Sequence, residues 1–290
     1  MKTLSNSRLT IQVSPHGAEL CSIVCNGKEY LWQADPAFWK RHSPVLFPIV
    51  GSVWQNTYSV KNRSFILSQH GFARDMDFEL ISETADEIRL RLSDNEETRE
   101  KYPYPFCLEI GYRLEGNRIR VMWQVSNPSD EDIYFQIGAH PAFYYPGFNP
   151  TENRRGFFGF DCKESLRYLL IAEKGCADTS KSYPLMLDAD GLLPIDIHTF
   201  DRDALILEDS QVKEVTLYDN DKQPCLSLYF DAPVVGLWSP PGKNAPFVCI
   251  EPWYGRCDRH GYTGDFKDKD WIQHLAPGEV FRGGYIIEIK

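Results

Sequence analysis

The feature that most constrains this chain is the period-two alternation of apolar and polar residues along most of its length. In Arg118–Ser126, Ile119, Val121, Trp123 and Val125 are apolar and the intervening positions are mostly polar. A strand with one buried face reads this way, because successive side chains leave opposite faces of a sheet. Glu87–Leu92, Leu226–Phe230 and Tyr285–Ile289 repeat the pattern, with turn residues between such runs at Asn26-Gly27, Glu115-Gly116-Asn117 and Asp219-Asn220-Asp221. Nineteen scattered prolines exclude long helices. Two short helical turns are expected, one capped at Asp35-Pro36 and continuing through Ala37-Phe38-Trp39-Lys40, the other from Asn95 to Lys101. Residues 150 to 200 are punctuated by Gly, Pro and Asp and are expected to form long loops. No repeat or linker interrupts the pattern. The expectation is an all-β chain, a single domain over residues 1–290, with two large sheets packed face to face.

Composition narrows the function classes. Hydrophobic residues at 42% and charged residues at 25% permit a packed core. A net charge of −10 argues against nucleic acid or an anionic membrane as partner, since both reward a basic surface. No apolar run is long enough to span a bilayer, and the first eight residues lack the apolar core of a secretion signal. Eight cysteines are spread over the chain without a CxxC pair, so they read as reduced, mostly buried small hydrophobes. A soluble cytoplasmic protein, monomer or homodimer, is expected.

Three segments place titratable residues among Gly, Pro and aromatics. In Gln69-His70-Gly71-Phe72-Ala73-Arg74-Asp75 the glycine permits a bend that aims His70 and Arg74 at one cavity; the alternative is a hairpin end with solvated charges. In Gln136-Ile137-Gly138-Ala139-His140-Pro141-Ala142-Phe143 the imidazole is either a satisfied core group or one held for acid–base work. In Cys249–Asp258, Glu251 follows the buried-strand run Pro246–Ile250 and precedes Pro252-Trp253. A carboxylate at the end of such a strand is costly unless paired with Arg256 or used, and desolvation raises its pKa toward that of a useful base. No two of His70, His140 and His260 have the close spacing of a zinc site, so no metal is expected, and no GxSxG nucleophile motif is present.

Taken in order with Gly17-Ala18-Glu19-Leu20, Tyr30-Leu31-Trp32-Gln33 and Pro44–Gly51, these segments resemble the aldose 1-epimerase family, and within it the LacX-like branch of bacterial proteins. The resemblance runs from about residue 10 to the C-terminus and implies a galactose mutarotase-like antiparallel β-supersandwich. It implies His140 as general acid and Glu251 as general base. It places His70, Gln69 and Arg74 against the sugar, and, by a looser match, Asp203 on sugar hydroxyls. Many relatives carry arginine where this chain has Ser52, so Arg74, Arg41 or Lys40 takes over, the sugar differs, or catalysis is weaker.

The implied reaction is interconversion of the α and β anomers of a hexose. A proton leaves the anomeric hydroxyl and another reaches the ring oxygen, and the open aldehyde turns about C1–C2 before closing. An acid and a base on opposite sides of C1–O5 suffice, with no cofactor. Burial is expected to raise Glu251, while a carboxylate near His140 keeps the imidazole protonated. Trp253, Trp238 and Phe143 are the candidate aromatic platform. Three other functions fit the same resemblance: a hexose-6-phosphate epimerase, a non-catalytic sugar-binding protein, and a glycoside hydrolase or lyase. The last would need a second well-placed carboxylate.

Overall fold

The computed structural model describes residues 1–162 and 165–290. It is an all-β supersandwich whose largest sheet has nine strands, in the order Leu192–Asp196, Arg154–Phe160, Glu214–Tyr218, Pro224–Phe230, Val280–Ile289, Arg118–Ser126, Cys107–Glu115, Glu87–Ser93 and Glu79–Glu83. Alternation works as the sequence predicts: Ile119, Val121, Trp123 and Val125 are buried and their neighbours half-buried or exposed. Gly116 (φ +65°) closes the turn from Cys107–Glu115 to Arg118–Ser126, which pair antiparallel in unbroken register. Among the described residues the one α-helix is Glu96–Lys101. Asn95 caps it, its Oδ1 accepting the Thr98 N–H while Thr98 Oγ1 accepts the Asn95 N–H.

Two expectations need correction. The 35–40 segment is a turn rather than a helix. Asp35 accepts the N–H groups of Ala37, Phe38 and Trp39, and there the winding stops. Trp39 swings inward to pack on His140, which a continuing helix would prevent. The 150–200 region is not all loop either. Arg154–Phe160 and Leu192–Asp196 pair with each other at one edge of the large sheet, and a bulge between Arg154 and Gly156 hides the period.

A second sheet carries the site. Its order is Leu205–Leu207, Val234–Trp238, Phe247–Tyr254, Ile137–Ala139 and Val45–Leu46, with Ala142–Tyr144 pairing separately to Phe247–Tyr254. One face of this sheet, bearing Leu205, Leu207, Val235, Leu237, Val248 and Ile250, joins the core built on the large sheet's Ile110, Val121 and Leu228. The opposite face carries Ile206, Gly236, Trp238, Glu251 and Trp253, as period two requires of their neighbours' partners. An N-terminal four-stranded sheet, Lys2–Ser5, Leu9–Ser14, Glu19–Cys25 and Lys28–Glu29, adds its buried Leu9, Ile11 and Ile23 to the same core. Among the described residues no helix is long and apolar enough to cross a membrane.

The floor of the second sheet is flattened by two glycines. A Cβ on Gly236 would stand 2.4 Å from the Trp253 ring, and one on Gly138 would stand 2.6 Å from it. The buried indole therefore lies across both neighbouring strands. Gly236→Ala should lower the stability measured by urea unfolding by about 1–3 kcal/mol, the usual cost of overpacking. An unchanged midpoint would mean that the indole moves freely.

Candidate functional site

Glu251 lies within the Phe247–Tyr254 strand, not at its end. Along one side of that strand, Tyr254 and Trp253 pair with Ile137 and Gly138, whereas Cys249 and Val248 pair with Ala142 and Phe143. Carrying one register through the gap sets His140 directly opposite Glu251. Pro141 and Pro252 both fall in this gap, and neither has an N–H to give to a ladder. The interruption frees the chain at His140 while keeping it beside the carboxylate. His140 Nε2 stands 3.3 Å from Glu251 Oε2, and both side chains are buried.

The imidazole is held on every side. The His140 N–H donates to the Pro44 carbonyl at 3.2 Å, and the Ala142 N–H donates to that of His42 at 3.0 Å. The 42–44 segment is tied down in turn by Glu19, whose Oε1 accepts the N–H groups of His42 and Ser43, both at 2.9 Å. Trp39 stacks on the His140 ring at 4.7 Å between centroids, and Trp238 meets it edge-on at 5.3 Å. The His70 ring meets it edge-on at 5.5 Å.

His70 and Gly71 both take left-handed backbone conformations, φ +67° and +69°. Only glycine fits the second position, where a Cβ would come within 2.2 Å of the Phe47 carbonyl oxygen. This bend brings His70 over Gly51, whose carbonyl accepts the His70 N–H at 2.8 Å and whose N–H donates to His70 Nδ1 at 3.1 Å. With Nδ1 accepting, a neutral His70 carries its proton on Nε2. The following turn, Ala73–Asp75, presents Arg74, whose Nη2 donates to the Gln69 carbonyl at 2.7 Å. Arg74 Nε is buried without a hydrogen bond.

These groups surround one cavity of about 260 Å³. Glu251, His140, His70, Gln69, Arg74, Asp203 and Trp253 all line it, so the seven residues singled out from the sequence come together. Phe143 does not: it points to the opposite face and is fully buried in the main core. Trp253 forms floor rather than a free platform, with its Nε1 donating to the Ala139 carbonyl at 3.2 Å. Trp39 was not singled out as a cavity residue, because nothing in its local pattern separates it from a turn residue. Ser52 is buried against Gly175, where a Cβ would stand 2.6 Å from the serine Oγ. Of the three cations considered as replacements, Arg74 lines the cavity and Lys40 does not. Arg41 is held by Asp75 Oδ1 at 2.8 Å. Arg256 ignores Glu251 and pairs with Glu208 at 2.9 Å and Asp270 at 2.7 Å.

Burial dominates the electrostatics. It raises the Glu251 carboxyl well above its ordinary range, and the Asp203 charge adds to the rise. Burial, with Arg74 and Arg41 nearby, pushes the His140 imidazole down to about 3. His70 is lowered for the same reasons, burial first and then the neighbouring His140 and Arg74. The expectation of a resting imidazolium at His140 is therefore corrected: burial and the two guanidinium groups favour an uncharged imidazole, with the pair's one proton on Glu251.

The family model for aldose 1-epimerases matches residues 1–288. The chain belongs to the aldose 1-epimerase family. The chromosomal and plasmid LacX proteins of Lactococcus lactis subsp. lactis are each 32% identical to it, over 99% of this chain and 98% of their own lengths. Among solved structures, a galactose mutarotase related enzyme from Lactobacillus acidophilus is 34% identical, with a TM-score of 0.93 over 100% of this chain and 97% of that one. A galactose mutarotase-like protein from Lactobacillus casei ATCC 334 gives the same TM-score at 28% identity, with both chains covered completely. The aldose 1-epimerase supersandwich thus supplies the two sheets described above, and the LacX-like resemblance extends over the whole chain.

A raised carboxyl pKa has a consequence for stability. Folded Glu251 holds its proton above the ordinary carboxyl value of 4.5, so raising the pH past that value deprotonates the unfolded chain first. Stability then falls with pH, by up to about 1.4 kcal/mol per unit, until the folded-state group ionises. Glu251→Gln, which has no proton to lose, should have a higher urea midpoint than wild type near neutral pH, with the gap closing as the pH falls below 4.5. A lower midpoint for the variant at neutral pH would show that the fold stabilises the carboxylate.

Proposed function

We propose that this protein is an aldose 1-epimerase that interconverts the anomers of a free hexose in the cytoplasm, with Glu251 and His140 sharing the proton transfers. The observation that carries the proposal is the cross-strand His140–Glu251 contact at 3.3 Å on the floor of a monosaccharide-sized cavity. The two groups stand side by side rather than on opposite sides of the ring. That arrangement suits the reaction, because the anomeric oxygen and the ring oxygen are both bonded to C1 and lie next to each other.

A neutral pair holds one mobile proton. With that proton on His140, Glu251 is a carboxylate base for the anomeric hydroxyl and the imidazolium is an acid for the ring oxygen. After ring opening the proton has moved from His140 to O5, and the one from O1 sits on Glu251. Rotation about C1–C2 and closure return both. Low polarity sharpens this exchange, since neither group is strongly solvated in either state. His70 Nε2–H is a fixed donor for a sugar oxygen, Arg74 a cationic one, and Asp203 an acceptor at the rim. Trp39 and Trp238 give the apolar faces of the sugar something to pack on.

A second reading is favoured by one observation. Arg74 brings a buried, incompletely bonded guanidinium to the cavity, and Arg41 lies close enough to depress both histidines. Such a pair would suit a phosphorylated hexose.

Polarimetry of freshly dissolved anomers, run with free and 6-phosphorylated hexoses, separates these readings. Wild type should accelerate equilibration of the free sugar. Glu251→Gln and His140→Asn should each lower the accelerated rate by about 10²- to 10⁴-fold, the range for loss of an acid or base. Sugar binding without acceleration by wild type would identify a binding protein, and near wild-type rates in either variant would remove that residue from the mechanism.

A further inference from the structure

The register that sets His140 opposite Glu251 delivers a third donor to the same place. Cys249 precedes Glu251 by two positions on one strand, so its side chain leaves the same face. Ligand atoms of His140, Cys249 and Glu251 all lie within 4.8 Å of one another, and all three residues are buried. Local spacing does not mark this set, because His140 is far from Cys249 along the chain and near it only across the strands. Glu251 Oε2, the oxygen that faces His140 Nε2, is buried with no hydrogen-bond partner. Orphaned polar atoms at this depth are uncommon and costly. The 3.3 Å between His140 Nε2 and Glu251 Oε2 also equals, to within about 0.1 Å, the edge of a tetrahedron whose metal–ligand bonds are about 2.0–2.1 Å.

We propose that His140, Cys249 and Glu251 form a tetrahedral site for Zn²⁺, with the fourth position open to the cavity, and that zinc bound there blocks the sugar site. The donor set selects the metal. One imidazole nitrogen, one sulfur and one carboxylate oxygen suit zinc, whereas calcium and magnesium take oxygen ligands almost exclusively. Charge also balances: a thiolate and a carboxylate neutralise the dication, so the loaded site carries no net charge into a dry environment. On binding, the Cys249 S–H bond breaks, an S–Zn bond forms, and the proton passes to buffer. A proton held by Glu251 leaves the same way. A second grouping, Glu19, Cys21 and His42, is geometrically similar. There, however, Glu19 Oε1 already accepts two backbone N–H groups.

Cobalt(II) titration of the full chain after chelator treatment tests the site by a readout that does not depend on activity. Wild type should bind one Co²⁺ with an intense visible tetrahedral spectrum and a near-ultraviolet thiolate-to-cobalt charge-transfer band, both bleached by Zn²⁺. Cys249→Ala and the more conservative Cys249→Ser should lose the charge-transfer band. Zinc affinity should fall by more than about 100-fold, since even partners behind a metal ligand are worth 10- to 100-fold. Cys257→Ala, which removes a thiol that lines the cavity but is not in the proposed ligand set, should keep the band. In the anomerisation assay one equivalent of zinc should slow wild type by about 10²-fold and EDTA should reverse it. Each Cys249 variant, referred to its own zinc-free rate, should be insensitive. Absence of a thiolate band in wild type, or its retention in both Cys249 variants, overturns the proposal. If the protein proves not to anomerise sugars, the cobalt spectrum still decides the metal site.

Discussion

Everything in the cavity depends on placing an ionisable carboxyl on the floor of a buried sheet. A lone carboxylate in such a position is expensive, and among the described residues no arginine or lysine pairs with it. What it has instead is an imidazole at the facing register position, 3.3 Å away and buried like the carboxyl itself. The two residues lie more than a hundred positions apart in the chain. Antiparallel register alone brings them together, and two prolines keep the backbone there from closing into an ordinary ladder.

The walls are built on different physics from the floor. On the floor, strand alternation aims each side chain, and glycines at 138 and 236 make room for the indole beneath the pair. On the walls, backbone carbonyls and N–H groups do the aiming. Gly51 grips His70 from both sides, and the Gln69 carbonyl steadies Arg74. Glu19 fixes the segment against which His140 is bonded. Glu19 thus reaches the imidazole through two backbone links without touching it, which gives a physical reason for a carboxylate in the Gly17–Leu20 segment.

Much of this was legible in the sequence and some of it could not be. Strands such as Arg118–Ser126 declare themselves because one face is wet and the other dry, so composition records the geometry. Glu251 and His140 were visible because a titratable residue among small and apolar neighbours is anomalous wherever it points. Phe143 was misassigned because alternation gives a face only once the strand's position in the fold is known. Trp39 was read as helical because Asp-Pro starts a turn whether or not the turn continues, and what stops it here is a contact with a residue a hundred positions on. The charge state of His140 was misjudged for a similar reason: the guanidinium groups that lower its pKa arrive from separate segments.

The division between floor and walls bears on how such a protein diversifies. Glu251 sits on a strand shared with the main core, and His140 in the gap between the two short strands beside it. Arg74 and Asp203, by contrast, stand on short turns at the edge of the cavity. Rim residues can therefore be exchanged one at a time while the paired groups on the floor of the sheet stay as they are.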